Sequence, residues 1–306
     1  MGISEQERVR RRDSVGASDV PAILGLCPFR TIHDVYLDKT ANMNMAANDL
    51  RDNMAILVGE KMEMSVVHYG YEKFKDNNNK AGDLKYDEKI VVKKSGKAPK
   101  HANLDGSIYL KNSDKLLAIV EAKTSSVSKN WGLTGSERIP PNVMAQVQFQ
   151  MGLAGVKCCI VSLLLSAFRL ELRTYKIDFE PETFSEICKA VDEFWLGYVE
   201  TRTPPLPSLP SRENLNRLER NPSTKEISDE VFEEITEKRE KVRVAKEELE
   251  KAQLAAITSL EDCEEGVCSL GTITYREQNR KAYQVSAKSM RVLRTKAVKK
   301  KEKENE

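Results

Sequence analysis

The stretch His101–Ser126, HANLDGSIYLKNSDKLLAIVEAKTSS, decides how this 306-residue chain is read. Its middle, LLAIVEAKT (116–124), has the continuous apolar character of a strand buried on both faces, yet Glu121 and Lys123 interrupt it two positions apart. In an extended strand residues i and i+2 point to one side, so the two charges project together while Ala122 faces away. Asp105 lies upstream beside Gly106, in a run, NLDGSIYL (103–110), that reads as a neighbouring strand. A carboxylate and an ammonium on one strand, with a second carboxylate on the next, can hold a divalent cation and position a nucleophilic water. The same three residues can also form an ion pair on a half-exposed edge strand, and the tripeptide E-x-K alone does not separate the two.

Outward from this stretch the first 200 residues alternate between helical and strand patterns. Apolar residues at helical spacing mark 17–24, 32–37, about 54–74, 143–153 and 184–198, and strand-like runs fall at 89–94, 103–110, 116–123, 158–166 and 170–178. A largely β middle flanked by helices predicts an α/β fold with a central mixed sheet. The segment TRTPPLPSLPSR (201–212) carries four prolines and reads as an extended linker. Beyond it, residues 226–260 are rich in Glu, Lys and Ala with 4-3 apolar spacing, which predicts a long helix, either a coiled-coil arm or a helix packed along the main domain. GTITYREQNRKAYQV (271–285) reads as a short hairpin ahead of a charged tail. The expected division is therefore 1–200, a linker at 201–212, and an extension at 213–306.

Composition limits the function classes. No apolar run approaches the ~18–20 residues of a membrane span, and the charged start MGISEQERVRRRD is unlike a secretory signal, so a cytoplasmic protein is expected. Lys+Arg total 49 and Asp+Glu 47, so any field that attracts nucleic acid must come from how the charges are arranged. Six cysteines, at 27, 158, 159, 188, 263 and 268, include no CxxC pair and read as reduced thiols.

Three further stretches, with the D…ExK core, carry a resemblance. RRDSVGASDVPAILGLCPFRTIHDVYLDKT (11–40), the GxxxE helix at Gly59–Glu63 and NVMAQVQFQMGLAG (142–155) occur in the order that resembles the YqaJ-like viral recombinase family, relatives of phage lambda exonuclease within the PD-(D/E)xK nuclease superfamily. The resemblance spans about residues 8–200. It implies that Asp105 and Glu121 are ligands of Mg2+ (or Mn2+), with the Ala122 carbonyl nearby, that Lys123 is the catalytic lysine, and that Glu63 assists at the metal site or at a second ion. Gln146 would stand beside the nucleophilic water. On a helix surface, Gln146, Gln148 and Gln150 cannot all face inward, and some are expected to meet solvent. Arg11, Ser18 and Lys129 match positions that cradle a 5′-phosphate, and a helix N-terminus with a hydroxyl and an arginine is a suitable anion site, although Ser18 also suits a plain helix cap.

The family's further acidic residue ahead of the catalytic aspartate finds no counterpart in VVKKSGKAPKHANL (91–104), where lysines could line a DNA path or a solvated hairpin. The implied activity is 5′→3′ digestion of double-stranded DNA to leave 3′ overhangs for phage-type recombination. The implied partners are DNA ends, a single-strand annealing recombinase and copies of the chain itself in a ring-shaped trimer, in a bacterial host carrying the phage or prophage. Two other readings remain open from the sequence: a Cas4-like or helicase-associated nuclease with an iron–sulfur cluster, and a non-catalytic DNA-end-binding or coiled-coil scaffold.

Overall fold

The computed structural model describes residues 12–41, 54–92, 97–218, 222 and 224–278. The chain forms two compact units, Met1–Arg220 and Asn221–Glu306. In the first, the elements run β1 (Val15–Gly16), α1 (Val20–Ile23), α2 (Ile32–Thr40), α3 (Met54–Asp76), β2 (Ala81–Val92), β3 (Lys100–Leu110), β4 (Leu116–Ser125), α4 (Pro141–Ala154), β5 (Cys158–Ser166), β6 (Leu170–Asp178), α5 (Pro181–Phe194) and α6 (Arg212–Arg217). A six-stranded mixed sheet forms the centre, with β2-β3-β4-β5-β6 in order and β1 as the sixth strand beside β3; β4 and β5 are parallel and the other neighbours in that order antiparallel. Short β1 runs parallel to the start of β3, at Lys100 and His101.

One feature of the pairing creates a site. β3 pairs with β4 from Tyr109 back to Gly106, which lies opposite Val120, while the start of β3 pairs with β1 and the end of β4 continues along β5 to Ser125. The two strands therefore part after the Gly106–Val120 pair. Backbone groups along both inner edges of this fork need partners from side chains.

Two apolar layers cover the sheet. On one face Val67, Phe74, Ile108, Ala118, Val120 and Ile160 form the core under α3. Close approach there depends on small residues: a Cβ on Gly70 would lie 2.9 Å from Ser162 Cβ and 3.0 Å from Val120 Cγ1, and one on Gly106 would lie 2.6 Å from Val67 Cγ1. Ser162 Oγ donates to the Val66 carbonyl at 2.7 Å, which ties the helix to β5. On the other face α4 is buried nearly all round, against the sheet on one side and α5 on the other, through Val143, Val147, Phe149 and Met151 and the ring pair Phe149–Phe184. Its two starting prolines fit a helix whose first N–H groups have no intrahelical partner.

The segment read from its prolines as a linker is held against α2. Tyr36 Oη donates to the Arg202 carbonyl (2.9 Å), Thr31 Oγ1 donates to the Leu209 carbonyl (3.1 Å), and Ser211 N–H donates to Asp34 Oδ1 (2.8 Å). Asn214 Nδ2 adds a bond to the Asp34 carbonyl at 3.0 Å. The first unit accordingly continues to Arg220, past the boundary at 200 expected from the sequence.

The second unit holds α7 (Asp229–Ser259), the expected long helix, laced by Lys241–Glu237 and Arg243–Glu240 ion pairs at helical spacing. Its hairpin joins β7 (Glu265–Cys268) to β8 (Gly271–Thr274). Gly271, where the expected hairpin of 271–285 starts, begins the second strand of this one, and the part of that stretch from 279 on lies outside the described residues. Among the described residues no helix is long and apolar enough to cross a membrane.

Candidate active site

The fork between β3 and β4 brings together Asp105, Glu121, Lys123 and Gln146. One step past the last β3–β4 pair come Asp105 and Glu121, on one face because opposite residues of antiparallel strands share a face. The Ala122 N–H, which has no ladder partner on β3, donates to Asp105 Oδ2 at 2.9 Å. The carbonyl of an extended residue lies on the same edge as its N–H, so the Ala122 carbonyl opens into the fork as well.

Glu121 is 3% exposed and satisfied from three directions. Its Oε1 accepts from Lys123 Nζ and, at 2.7 Å, from Gln146 Nε2; its Oε2 accepts from Gln150 Nε2 at 2.7 Å. The side chain of Lys123 keeps 26% of its surface open to solvent, so the cluster has one wet side.

The electrostatics are those of two carboxylates confined together. Burial, then the charge of Glu121, hold the Asp105 carboxyl well above the usual carboxylate range, against the pull of Lys123 and the Ala122 N–H. Burial alone would lower Lys123, but the carboxylates of Glu121 and Asp105 outweigh it and keep the ammonium charged. Burial, followed by the charges of Asp87 and Glu121, raises Glu63, which stands one helical turn before Val67 on the sheet-facing stripe of α3. Cys159, buried behind the site, has its thiol pushed up by burial first and then by Glu121, and is an inert core residue.

This donor set fits a magnesium-type ion. Two carboxylates and a backbone carbonyl face one fork, and repulsion between the acids is what a divalent cation relieves. Among the described residues no three His, Cys, Asp or Glu side chains converge as a metal-holding group, so the protein's share of such a site is the two carboxylates and the carbonyl. Glu63 does not join Asp105 and Glu121 in such a group. In the first unit Cys27, Cys158, Cys159 and Cys188 likewise do not converge, so a four-thiolate iron–sulfur cage has no frame there.

The three glutamines of α4 depart from expectation, because none projects freely into solvent. Gln146 is half-buried on Glu121; Gln148 is 0% exposed, donating to the Asp178 carbonyl (2.9 Å) and accepting the Glu180 N–H (2.9 Å); Gln150 is 1% exposed. A helix enclosed by a sheet and a second helix has little solvent face to give them. Gln150 is a site residue that sequence reasoning passed over; its spacing of four from Gln146, one helical turn, is the signal that could have found it.

Asp87 is a second omission. It falls between the pairs Tyr86–Gly106 and Glu88–Leu104, level with Asp105 on the other side of β3, with left-handed backbone at φ 54°. The acidic residue sought within 91–104 thus has a neighbour of the right charge on β2, a little earlier in the chain.

The residues expected at a 5′-phosphate are less gathered. Arg11 lies outside the described residues. Ser18 and Lys129 are exposed, and no hydrogen bond joins them. Ser18 is not a helix cap: Asp19 holds the N-cap position of the four-residue α1. Asp19 is buried, accepts from Gly16 N–H (3.1 Å) and pairs with Lys39 (2.7 Å) and Arg30 (3.0 Å). Burial would raise its pKa, yet Lys39 and then Arg30 hold it far below the carboxylate range. The aspartate of GASD therefore organises the turn. Of the lysines at 93, 94, 97 and 100, the first two lie outside the described residues. Lys100 is buried against Asp192, which Lys97 also contacts at 3.2 Å, so Lys100 belongs to an internal ion pair and not to a solvated hairpin.

Comparison with known proteins adds a family match to this geometry. The chain is 26% identical over 195 residues to the Bacillus subtilis (strain 168) protein YqaJ, a match covering 61% of this chain and 54% of YqaJ, so it spans about half the length of that relative. Among solved structures, an alkaline exonuclease from Laribacter hongkongensis aligns with 65% of this chain and 94% of its own at 16% identity and a TM-score of 0.45. A phage-related exonuclease from Haemophilus somnus 129PT aligns with 64% and 99% at 12% identity and a TM-score of 0.36. Residues 8–157, which contain the GASD turn, α3, the β3–β4 fork and Gln146, match the YqaJ-like viral recombinase domain, so that region of the chain is YqaJ-like.

Proposed function

We propose that this chain is a metal-dependent deoxyribonuclease that digests double-stranded DNA from a 5′ end and leaves a 3′ single strand for recombination. The observation that carries the reading is the β3–β4 fork, where Asp105 and Glu121 stand beside a charged Lys123 and the amide of Gln146. Asp105, Glu121 and the Ala122 carbonyl would hold Mg2+ or Mn2+, with Glu63 acting through water or at a second ion. When bound, the cation supplies Lewis-acid activation of the attacking water and neutralises charge on the phosphate. Lys123, on the wet side, offsets negative charge that grows on the phosphate oxygens in the transition state. Gln146 offers an amide that orients the attacking water.

Polarity and partners belong to the same proposal. Arg11, Ser18 and Lys129 would engage a 5′-phosphate, so that the next phosphodiester of that strand lies over the site. The products suit a single-strand annealing recombinase, and the protein would act as a ring-shaped trimer in the cytoplasm of a host carrying the phage or prophage. Release of acid-soluble nucleotide from linear duplex, labelled at one or the other end, tests the core of this reading. Magnesium-dependent release that begins at the 5′ label and is abolished by EDTA is expected. No release under any divalent cation would leave a non-catalytic DNA-end-binding or coiled-coil scaffold as the alternative.

A further inference from the structure

Gln150, on α4, bridges the two sides of the fork. Its Nε2 donates to the Asn103 carbonyl on β3 at 3.2 Å and to Glu121 Oε2 on β4 at 2.7 Å. Both protons of the amide are thereby used. Its Oε1, by contrast, is buried with no hydrogen-bond partner among the described residues. A buried amide with an unpaired carbonyl is a costly core residue, and a methionine or leucine would fill the space without that cost. Its neighbour shows the contrast: the amide of Gln148, equally buried, uses both its oxygen and its nitrogen on backbone groups of the 178–180 turn. Gln150 keeps its place through what its nitrogen holds.

The two oxygens of Glu121 are unlike. Oε1 is bonded by Lys123 and Gln146, which reach it from the half-open side and can turn toward a substrate. Among the described residues Oε2 accepts a side-chain bond from Gln150 alone, and Gln150 is 1% exposed. We infer that Gln150 is a positioning residue: it locks the rotation of the Glu121 carboxylate and the width of the β3–β4 fork, so that Oε2 stays committed and Oε1 is the oxygen offered to a divalent cation. This rests on the proposed metal-dependent reading of the site. Removing the lock would leave the carboxylate free to rotate and would weaken cation binding even before DNA is present.

The test is a titration of the intact chain with Mn2+ in the absence of DNA, read by calorimetry, alongside kcat and KM on linear duplex and thermal unfolding. Gln150→Met is expected to fold, to bind Mn2+ about 10-fold or more weakly, and to lower kcat by about 10–100-fold with KM for duplex little changed, the range typical of residues that orient metal ligands. Gln148→Met, the packing control, is expected to lower the unfolding temperature while keeping wild-type Mn2+ affinity and kcat. Wild-type Mn2+ affinity and kcat in Gln150→Met overturn the inference, as does an equal loss of affinity in Gln148→Met. Should Gln150→Met fail to fold, Gln150→Asn keeps the amide but is one methylene short of spanning both acceptors; weakened Mn2+ binding supports the role and wild-type binding overturns it. If the wild type itself neither binds Mn2+ nor releases nucleotide, the nuclease reading fails and the inference with it. If the wild type does both and Gln150→Met matches it, the inference alone fails.

Discussion

The Asp105 carboxylate takes the position of a missing strand partner for Ala122, accepting its backbone N–H at 2.9 Å where β3 and β4 separate. One side chain thus closes the backbone ladder and contributes negative charge to the site. The two roles can be separated by substitution. Asp105→Asn keeps an acceptor for the Ala122 N–H and removes the charge, whereas Asp105→Ala leaves that N–H unpaired, a loss of about 1–3 kcal/mol. Both variants should lose magnesium-dependent nucleotide release, and Asp105→Asn should be the more resistant of the two to urea. An Asp105→Asn protein with normal turnover would contradict the role given to its charge.

The raised pKa of Asp105 has a sign that stability measurements can read. A carboxyl whose pKa is higher folded than unfolded binds more protons in the native state, so stability falls as pH rises. Its contribution is fully present below the unfolded value of 3.8 and is lost as pH rises through the folded one. In EDTA, the unfolding temperature should therefore fall from mildly acid toward alkaline pH more steeply in wild type than in Asp105→Asn. Magnesium should reduce that fall by favouring the ionised carboxylate. Equal pH slopes in the two proteins would remove the carboxylate repulsion from the account.

Gly70 tests how α3 supports the site. An added methyl would press on Ser162 and Val120 at 2.9–3.0 Å, contacts that force the helix outward. Overpacking of this kind costs about 1–3 kcal/mol. Gly70→Ala should lose stability in that range and, because Glu63 lies on the same helix, should also lower turnover. Unchanged stability by urea denaturation would show that the helix has more room than its contacts indicate.

Asp19 is expected to matter for folding more than for chemistry. Lys39 is buried beside it at 2.7 Å, and breaking a buried ion pair by removing one partner costs about 3–5 kcal/mol. Asp19→Ala should therefore be strongly destabilised, while Ser18→Ala, at an exposed neighbouring position, should unfold like wild type. Comparable stability for the two variants in chemical denaturation would count against the structural role of Asp19.

Parts of this architecture were legible because their signals are local. The strands at 158–166 and 170–178 have the bounds their apolar and alternating runs suggest, and Glu121 and Lys123 share a face because i and i+2 must do so in any strand. β2 was legible only at its end: residues 81–88, AGDLKYDE, carry too many polar groups to read as a strand and are held by their pairing with β3. The prolines at 204–210 correctly exclude helix and sheet, but nothing local shows that Asp34 and Thr31, 177 and 178 positions from their partners, bind that segment. Gln150 was missed for a similar reason. Which of three closely spaced glutamines meets Glu121 depends on how α4 is wedged between sheet and α5, a property of the assembled fold.

The most direct test of the central claim, that the β3–β4 fork is a nuclease active site, is the rate of magnesium-dependent nucleotide release from 5′-phosphorylated linear duplex by wild type and Lys123→Ala, with duplex affinity measured in parallel. Lys123 acts on charge that develops in the transition state and contributes little to ground-state contacts. The account predicts release by wild type, loss of that release in Lys123→Ala by at least about 100-fold, a change of the size produced when one charge-stabilising group is removed, and duplex affinity within a few-fold of wild type. Normal release by a folded Lys123→Ala protein would contradict it.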